Sequence, residues 1–432
     1  MTASDMTVEP ARRLWQGAGL VMGIKLVGAF LTYVMFAALA RAMTHTEYGL
    51  FSTAFSLATL TSQIALLGQA QLVLREMPRF DGRQLETEGR AFLRLSYLRT
   101  LAGTLLIVAG LVAARWMGAN VAPLSVGALI LAMTLAELQQ NALRGRGYVL
   151  AAFGARDVLW RLAVVVIAGA AVLGWLPPLS SDGAVWMTAV TLIALVLLFS
   201  VTDSPTCVWK RAWSRLPRGT HLKASLSFWI NAVIGVGLPN IATIAVGAML
   251  SVEDAALFFA ATKTAQAMQF LPTAMILVGA PQVSRAFHRG DMGEIQRIAR
   301  MISVFVLLVV ACITVALLGF GSRVLEAFGP GFAAGYPVLL ILVAGYSVSS
   351  LCGPTNALMS LSGNAGTLNK ALLCSNLIAI ALIPLAAWLF GAIGVAVCFA
   401  GSVAGWNLWI RSWIRKHMKV ESSVFSLLAS PR

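Results

Sequence analysis

Acidic residues are scarce in this 432-residue sequence: 17 Asp and Glu stand against 32 Lys and Arg, and only 11% of residues are charged. A soluble domain carries about a quarter charged residues, so an ordinary water-facing fold is excluded. Histidine is rarer still, with His45, His221, His288 and His417 standing singly at the ends of apolar stretches. They lack ligand spacing, so no metal is expected. The five cysteines, Cys207, Cys312, Cys352, Cys374 and Cys398, fall inside apolar stretches or at their cytoplasmic ends, and no disulfide is expected there. No GxxxxGK[ST] loop is present to drive transport by ATP, and no other cofactor is expected.

What is present is apolar. Hydrophobic residues make up 59% of the chain and the mean hydropathy is +0.82. Stretches of 18 or more apolar residues, each able to span about 30 Å of hydrocarbon as a helix, recur about twelve times. The expectation is an all-α polytopic membrane protein of about 12 transmembrane helices. The first stretch, 17–40, follows Arg12 and Arg13 and contains "ALA". It exceeds the 7–15 residues of a signal-peptide core and reads as an uncleaved span.

A net charge of +15 would suit nucleic acid if it lay on one soluble face, but the basic residues sit between spans, so no nucleic-acid partner is expected. One set of connections holds only Arg41, Arg115 and Arg323. Apart from Lys25 and Lys263 within spans, the rest lie with the termini and the alternate loops, as in "REMPRFDGRQLETEGR", "WKRAWSRLPRG" and "SRAFHRGDMGEIQRIAR". That asymmetry predicts a membrane protein with both termini in the cytoplasm.

A shift of 206 residues lays Ala42 on Ala248, Met43 on Met249 and Glu47 on Glu253. The same shift pairs Gln63 with Gln269, Arg79 with Arg285, Arg83 with Arg289, Glu88 with Glu294 and Arg94 with Arg300. Shared membrane composition explains alanine matches but not charged matches in loops. The pattern predicts two parallel six-helix repeats, 1–205 and 223–419, joined by a cytoplasmic linker 206–222 and followed by a tail 420–432. A substrate is then expected at the repeat interface near the midplane.

Ions within a bilayer are costly and mark function. Lys25, in "GLVMGIKLVGAFLTYVMF", shares a helix face with Gly28 and Thr32; that small, polar face suits a cavity wall or a tight helix contact, and a lysine snorkelling to the interface is the alternative. Lys263, in "FFAATKTAQAMQFLPT", shares a face with Gln266, with Gln269 continuing the polar edge and Pro272 expected to kink the helix. Under the shift Lys25 corresponds to Asn231, in a span expected to be interrupted at Gly237 and Pro239. Asn231 and Asn240 either line a cavity or bond neighbouring helices, and Gln63 is a further cavity candidate. Arg99 and Arg161 lie about one turn inside span ends, where an interfacial role competes with a cavity one. All 17 acids fall in loops or near span ends, the deepest being Glu137. A cavity with lysines and no carboxylate at depth favours an anion such as a phosphate or diphosphate. The outer connections are short and hold no catalytic pair, so no enzyme is expected.

Several segments resemble the repeat-unit flippases of bacterial polysaccharide synthesis, within the multidrug/oligosaccharidyl-lipid/polysaccharide (MOP) exporter superfamily. "ARAMTHTEYGLF" is similar to the end of that family's first helix and the start of its second. "LFFAATKTAQAMQFLPTAMILVGAPQVSRAFHRGDMGEIQRIAR" resembles its eighth helix and following loop, and "GPTNALMSLSGNAGTLNKALLCSNLIAIALIPLAAWLFGAIGVAV" its tenth to twelfth. The resemblance implies two V-shaped lobes around a cationic cavity that moves an undecaprenyl-diphosphate-linked oligosaccharide across the inner membrane for lipopolysaccharide or exopolysaccharide. It also implies Lys25 and Lys263 as cavity cations, Arg41 as a weaker one, and Pro239, Pro272 and Pro354 as flex points. Partners would be the lipid-linked substrate, membrane lipids and other polysaccharide-assembly proteins; a coupling ion, H⁺ or Na⁺, stays open. The alternatives are a multidrug or cation antiporter of the same superfamily and a membrane-embedded polysaccharide polymerase or ligase.

Overall fold

The computed structural model describes residues 5–80, 86–118, 122–202, 221–270 and most of 282–423. It is 89% helix, with no strand among the described residues. In the first part of the chain α1 covers Asp5–Arg41, α2 His45–Ala65, α3 Gln69–Glu76, α4 Glu86–Trp116 and α5 Pro123–Gly145. They are followed by α6 Val149–Phe153, α7 Trp160–Val172 and α8 Ser181–Thr202. In the second, α9 covers His221–Met249, α10 Val252–Gln266, α11 Met292–Glu326, α12 Tyr336–Leu351, α13 Thr355–Leu361 and α14 Ala365–His417.

Eight of these helices are long and apolar enough to cross a membrane, or nine if α2 and α3, which meet at a 53° bend, form one broken span. The count falls short of twelve for local reasons. Helix α14 has 53 residues, with non-helical φ 60°, ψ −146° at Gly391; at 1.5 Å per residue it would measure about 80 Å, so it is two spans. Helix α7, with 13 residues, continues a distorted segment, and α10, with 15, runs towards residues outside the described ones.

Contacts divide the chain into Met1–Ile244 and Ala245–Arg432. In the first unit α5 is the hub, burying Leu129, Ile130, Leu138 and Leu143 against α2, α3, α4 and α8, while α1 packs on α7. In the second, α12 packs against α10, α11 and α14. Both units leave large apolar side chains outside, among them Leu105, Leu106, Val315, Phe320, Leu377 and Trp388. Water would penalise so much exposed apolar area, whereas lipid tails accept it.

The division falls inside α9 because the start of that helix is tied to the first unit; residues 206–220 of the expected linker lie outside the described ones. Trp229 Nε1 donates to the Ile64 carbonyl at 3.0 Å and Gln69 Nε2 donates to Ser225 Oγ at 2.9 Å. Here the chain between α2 and α3 turns through two left-handed residues, Leu67 at φ 48° and Gly68 at φ 72°. A side chain at position 68 would meet the Ser225 carbonyl oxygen 2.1 Å from its Cβ, so only glycine admits that approach.

Candidate functional site

Most of the partly buried charges of the first unit gather where α1 meets the segment before α7. A Cβ on Gly28 would lie 3.0 Å from the Asp157 carbonyl oxygen and 3.2 Å from an Arg161 nitrogen. The bare backbone there lets α1 press against residues Gly154–Leu159, which form a π-helical turn. Such turns are rare and concentrate at functional sites. This one carries Asp157 into the helix contact.

Lys25 Nζ donates to Asp157 Oδ2 at 2.7 Å, and Arg161 donates to Asp157 Oδ1 at 3.2 Å and to the Asp157 carbonyl at 2.5 Å. The Asp157 side chain is 10% exposed and that of Lys25 42%. The Lys25 ammonium also lies 4.0 Å from the centroid of the buried Phe153 ring, and the Arg144 guanidinium lies 5.2 Å from the same ring; both are cation–π distances. Helix α5 continues the cluster: Arg144 donates to Asn141, Asn141 to Glu137, and Arg156 to both Glu137 and Gln140. Lys25, Arg144, Arg156 and Arg161 against Glu137 and Asp157 leave two positive charges in excess. Lys25 stands sixteen residues before the end of α1 and Asp157 fifteen before the end of α7, each about 22–24 Å along its helix. The two therefore sit at one level.

Two expectations are corrected here. Lys25 and Arg161 are not cations without acidic neighbours, because Asp157, one of the acids expected only at a span end, is bonded to both. Thr32 donates to the Gly28 carbonyl of its own helix at 2.7 Å. Asn240 bonds within its own helix. Buried at 6% exposure, it donates to the Val236 carbonyl one turn earlier, and α9 stays helical through Gly237 and Pro239 instead of being interrupted.

The other candidates are dispersed. Arg41 is exposed at the last turn of α1, where a cation complements the helix dipole. Arg99 is exposed on α4 beside exposed Leu98 and Leu101, the interfacial alternative. Gln63 is half-buried on α2 and Asn231 exposed on α9.

In the second unit Lys263 stands eleven residues into α10, about 17 Å along it, with its ammonium 4.8 Å from the Phe259 ring centroid. Gln266 bonds the hydroxyl of Tyr346 on α12, whose ring meets Phe399 edge-on. Gln269 closes a 3-10 turn, Ala267–Gln269. Pro272 lies outside the described residues. Pro354 is buried in the break between α12 and α13. Among the described residues no cluster of His, Cys, Asp and Glu could hold a metal ion.

Sequence reasoning missed Asp157, Arg144 and Phe153. Asp157 and Phe153 flank Gly154 in "AAFGARDVLWRL", and the one available signal was an acid four residues before Arg161, a helical ion-pair spacing.

No family model matches the chain, and no curated protein matches it in sequence. Solved structures do match. An inward-facing multidrug-resistance MATE transporter of the MOP superfamily superposes with TM-score 0.69 at 14% identity, covering 93% of this chain and 99% of that one. An outward-facing structure of a multidrug-resistance MATE transporter gives TM-score 0.60 at 12% identity, covering 93% and 96%. A MOP-superfamily transporter from Pyrococcus furiosus, described as having a binding pocket of reversed polarity that suggests a different function, gives 0.60 at 12%, covering 93% and 95%. The fold is that of MOP-superfamily transporters.

Proposed function

We propose that this chain is a flippase that moves a polyprenyl-diphosphate-linked oligosaccharide repeat unit across the bacterial inner membrane by alternating access. The observation that carries the reading is the excess of two positive charges in the Lys25 cluster, with the Lys25 ammonium half-exposed. A diphosphate headgroup offers oxygens that compact and forked cations can bond, and its attraction to them offsets part of the cost of leaving water. Lys263 would supply a second cation. The charge asymmetry of the loops supports an orientation with both termini in the cytoplasm, and the segments resembling repeat-unit flippases support the cargo. A fold shared with transporters argues against the polymerase or ligase reading. One transporter of this fold is described as having a reversed pocket polarity that suggests a different function, so pocket chemistry varies within the architecture.

The second reading, a multidrug or cation antiporter, draws on the same fold and is favoured by one observation: Asp157 is a carboxylate inside the first unit, where a cation exporter needs one. Two variants separate the readings. In a deletion strain complemented with Lys25→Gln plus Lys263→Gln, surface polysaccharide should be lost at normal protein level, with lipid-linked repeat units accumulating on the cytoplasmic face. Complementation with Asp157→Asn should preserve polymer output. The antiporter requires the opposite: hypersensitivity of the deletion strain to cationic dyes, not relieved by Asp157→Asn, and polymer output indifferent to both lysines.

A further inference from the structure

The chain does not leave the second unit where α14 ends. Lys419, at φ 56°, turns it back, and the next four residues are seated in protein: Val420, Ser422 and Ser423 have at most 1% exposure. Gln296 on α11 clasps the Glu421 backbone from both sides, donating to its carbonyl at 2.9 Å and accepting from its N–H at 2.7 Å. Ser303, a turn or two further along α11, donates to the Ser422 carbonyl at 2.6 Å, and Ser422 Oγ donates to the Cys352 carbonyl at 3.0 Å. Arg411 on α14 donates to the Glu421 carboxylate at 3.0 Å. Five residues thus tie together α11, α14 and the break between α12 and α13.

That break is built around Gly353, left-handed at φ 79°, and a Cβ there would lie 1.8 Å from the Ser422 carbonyl oxygen. Its neighbour is Pro354, which has no N–H and cannot carry helix hydrogen bonding across the gap. The seated peptide therefore fills the space directly beside the break at Gly353.

We infer that Lys419–Ser423 is a releasable strap that locks the α12/α13 break, so that the second unit changes shape at Gly353–Pro354 only when the strap unseats. Two features favour release over permanent attachment. Apart from the buried Val420, its contacts are hydrogen bonds and one ion pair made by a single short peptide, the kind of element found at the low-stability end of local opening. Ser225, which makes the same contact with the break in the first unit, instead lies within a continuous 29-residue helix, four residues after its first described residue.

Cys352 reports on the strap because it is 3% exposed and its carbonyl is bonded by Ser422. The test uses the full chain in inside-out vesicles with Cys207, Cys312, Cys374 and Cys398 replaced by Ser, and measures the rate at which a membrane-impermeant maleimide modifies Cys352. Glu421→Gln and Arg411→Gln, each removing one side of a largely buried ion pair, should raise that rate about tenfold, as expected for a local opening made about 1.4 kcal/mol easier. A chain ending at Met418 should raise it further. If truncation unfolds the protein, the two point variants still decide the matter. Unchanged labelling in both overturns the inference, as does rapid labelling of Cys352 in the otherwise unaltered chain. The readout is independent of cargo, so a failure here and a failure of the flippase reading are separable.

Discussion

The chain breaks twice in the same manner at places that the internal repeat does not relate. Between α2 and α3, Ser225 Oγ donates to the Leu67 carbonyl at 2.5 Å and its own carbonyl occupies the space beside Gly68. Between α12 and α13, Ser422 Oγ donates to the Cys352 carbonyl and its carbonyl occupies the space beside Gly353. In each case a serine satisfies the carbonyl preceding a left-handed glycine, and the missing Cβ admits the serine backbone. Buried backbone groups must find partners, and a helix break inside a membrane protein frees several at once. The difference lies in what carries the serine: Ser225 is embedded in α9, whereas Ser422 is in a short peptide past the end of α14. The first clasp is anchored by a whole helix and the second by a few hydrogen bonds.

The largest expected effect follows from that contrast. Gly68→Ala drives a methyl into the Ser225 carbonyl, which cannot retreat without moving α9, and adds the cost of a left-handed alanine. A loss of about 3 kcal/mol or more is expected, read as disappearance of folded protein from the membrane fraction. Gly353→Ala makes the nominally closer clash, but Ser422 can move away with its strap. Protein level should therefore survive, with a drop in melting temperature corresponding to about 1–2 kcal/mol. Equal losses at the two glycines would refute the difference in anchoring.

A smaller effect is expected where the first unit carries its buried charge. Asp157→Asn keeps the shape of the side chain and removes the one carboxylate shared by Lys25 and Arg161, at a cost of about 1–3 kcal/mol. Lys25→Gln should cost less, because Lys25 is half-exposed and Asp157 keeps Arg161. The double variant should be less damaging than the sum of the two by about 0.5–1 kcal/mol. Additive losses in denaturant or thermal melts would mean that the Lys25–Asp157 pair contributes nothing to stability.

Composition and hydropathy made the membrane class and the helical architecture legible, because an apolar run long enough to span a bilayer has few other uses. The breaks were less legible. Pro239 drew attention, yet α9 continues through it, with Asn240 and Thr243 bonding carbonyls in the preceding turn, while Gly68, one glycine among 38, marks a real bend. Asp157 was hidden for a related reason: a π turn displaces residues from 3.6-residue periodicity, so counting along the sequence places this acid at a span end instead of against Lys25. The strap was invisible because "MKVESSV" has the composition of any polar tail, and only the partners on α11 and α14 make it part of the fold.

The smallest expected effects separate the two clasps by their chemistry. Ser225→Ala and Ser422→Ala each remove one hydroxyl donor, for about 0.5–1.5 kcal/mol. The strap alone has an ionisable pin. Burial works against the charged form of Glu421, but hydrogen bonds from Arg411 and Ser423 outweigh it and hold the carboxyl below its ordinary value. A carboxylate with a depressed folded pKa stabilises the fold fully above its unfolded value, about 4.3, and that stabilisation is lost as pH falls through the folded value. Melting of the purified protein should therefore show wild type slightly more stable than Glu421→Gln between pH 5.5 and 7.5, with a constant gap that closes only below about pH 4. No comparable pH dependence should follow Ser225→Ala, whose clasp contains no titrating group. A gap that narrows between pH 7.5 and 5.5 would mean that some other group, not the Glu421 carboxylate, holds the strap.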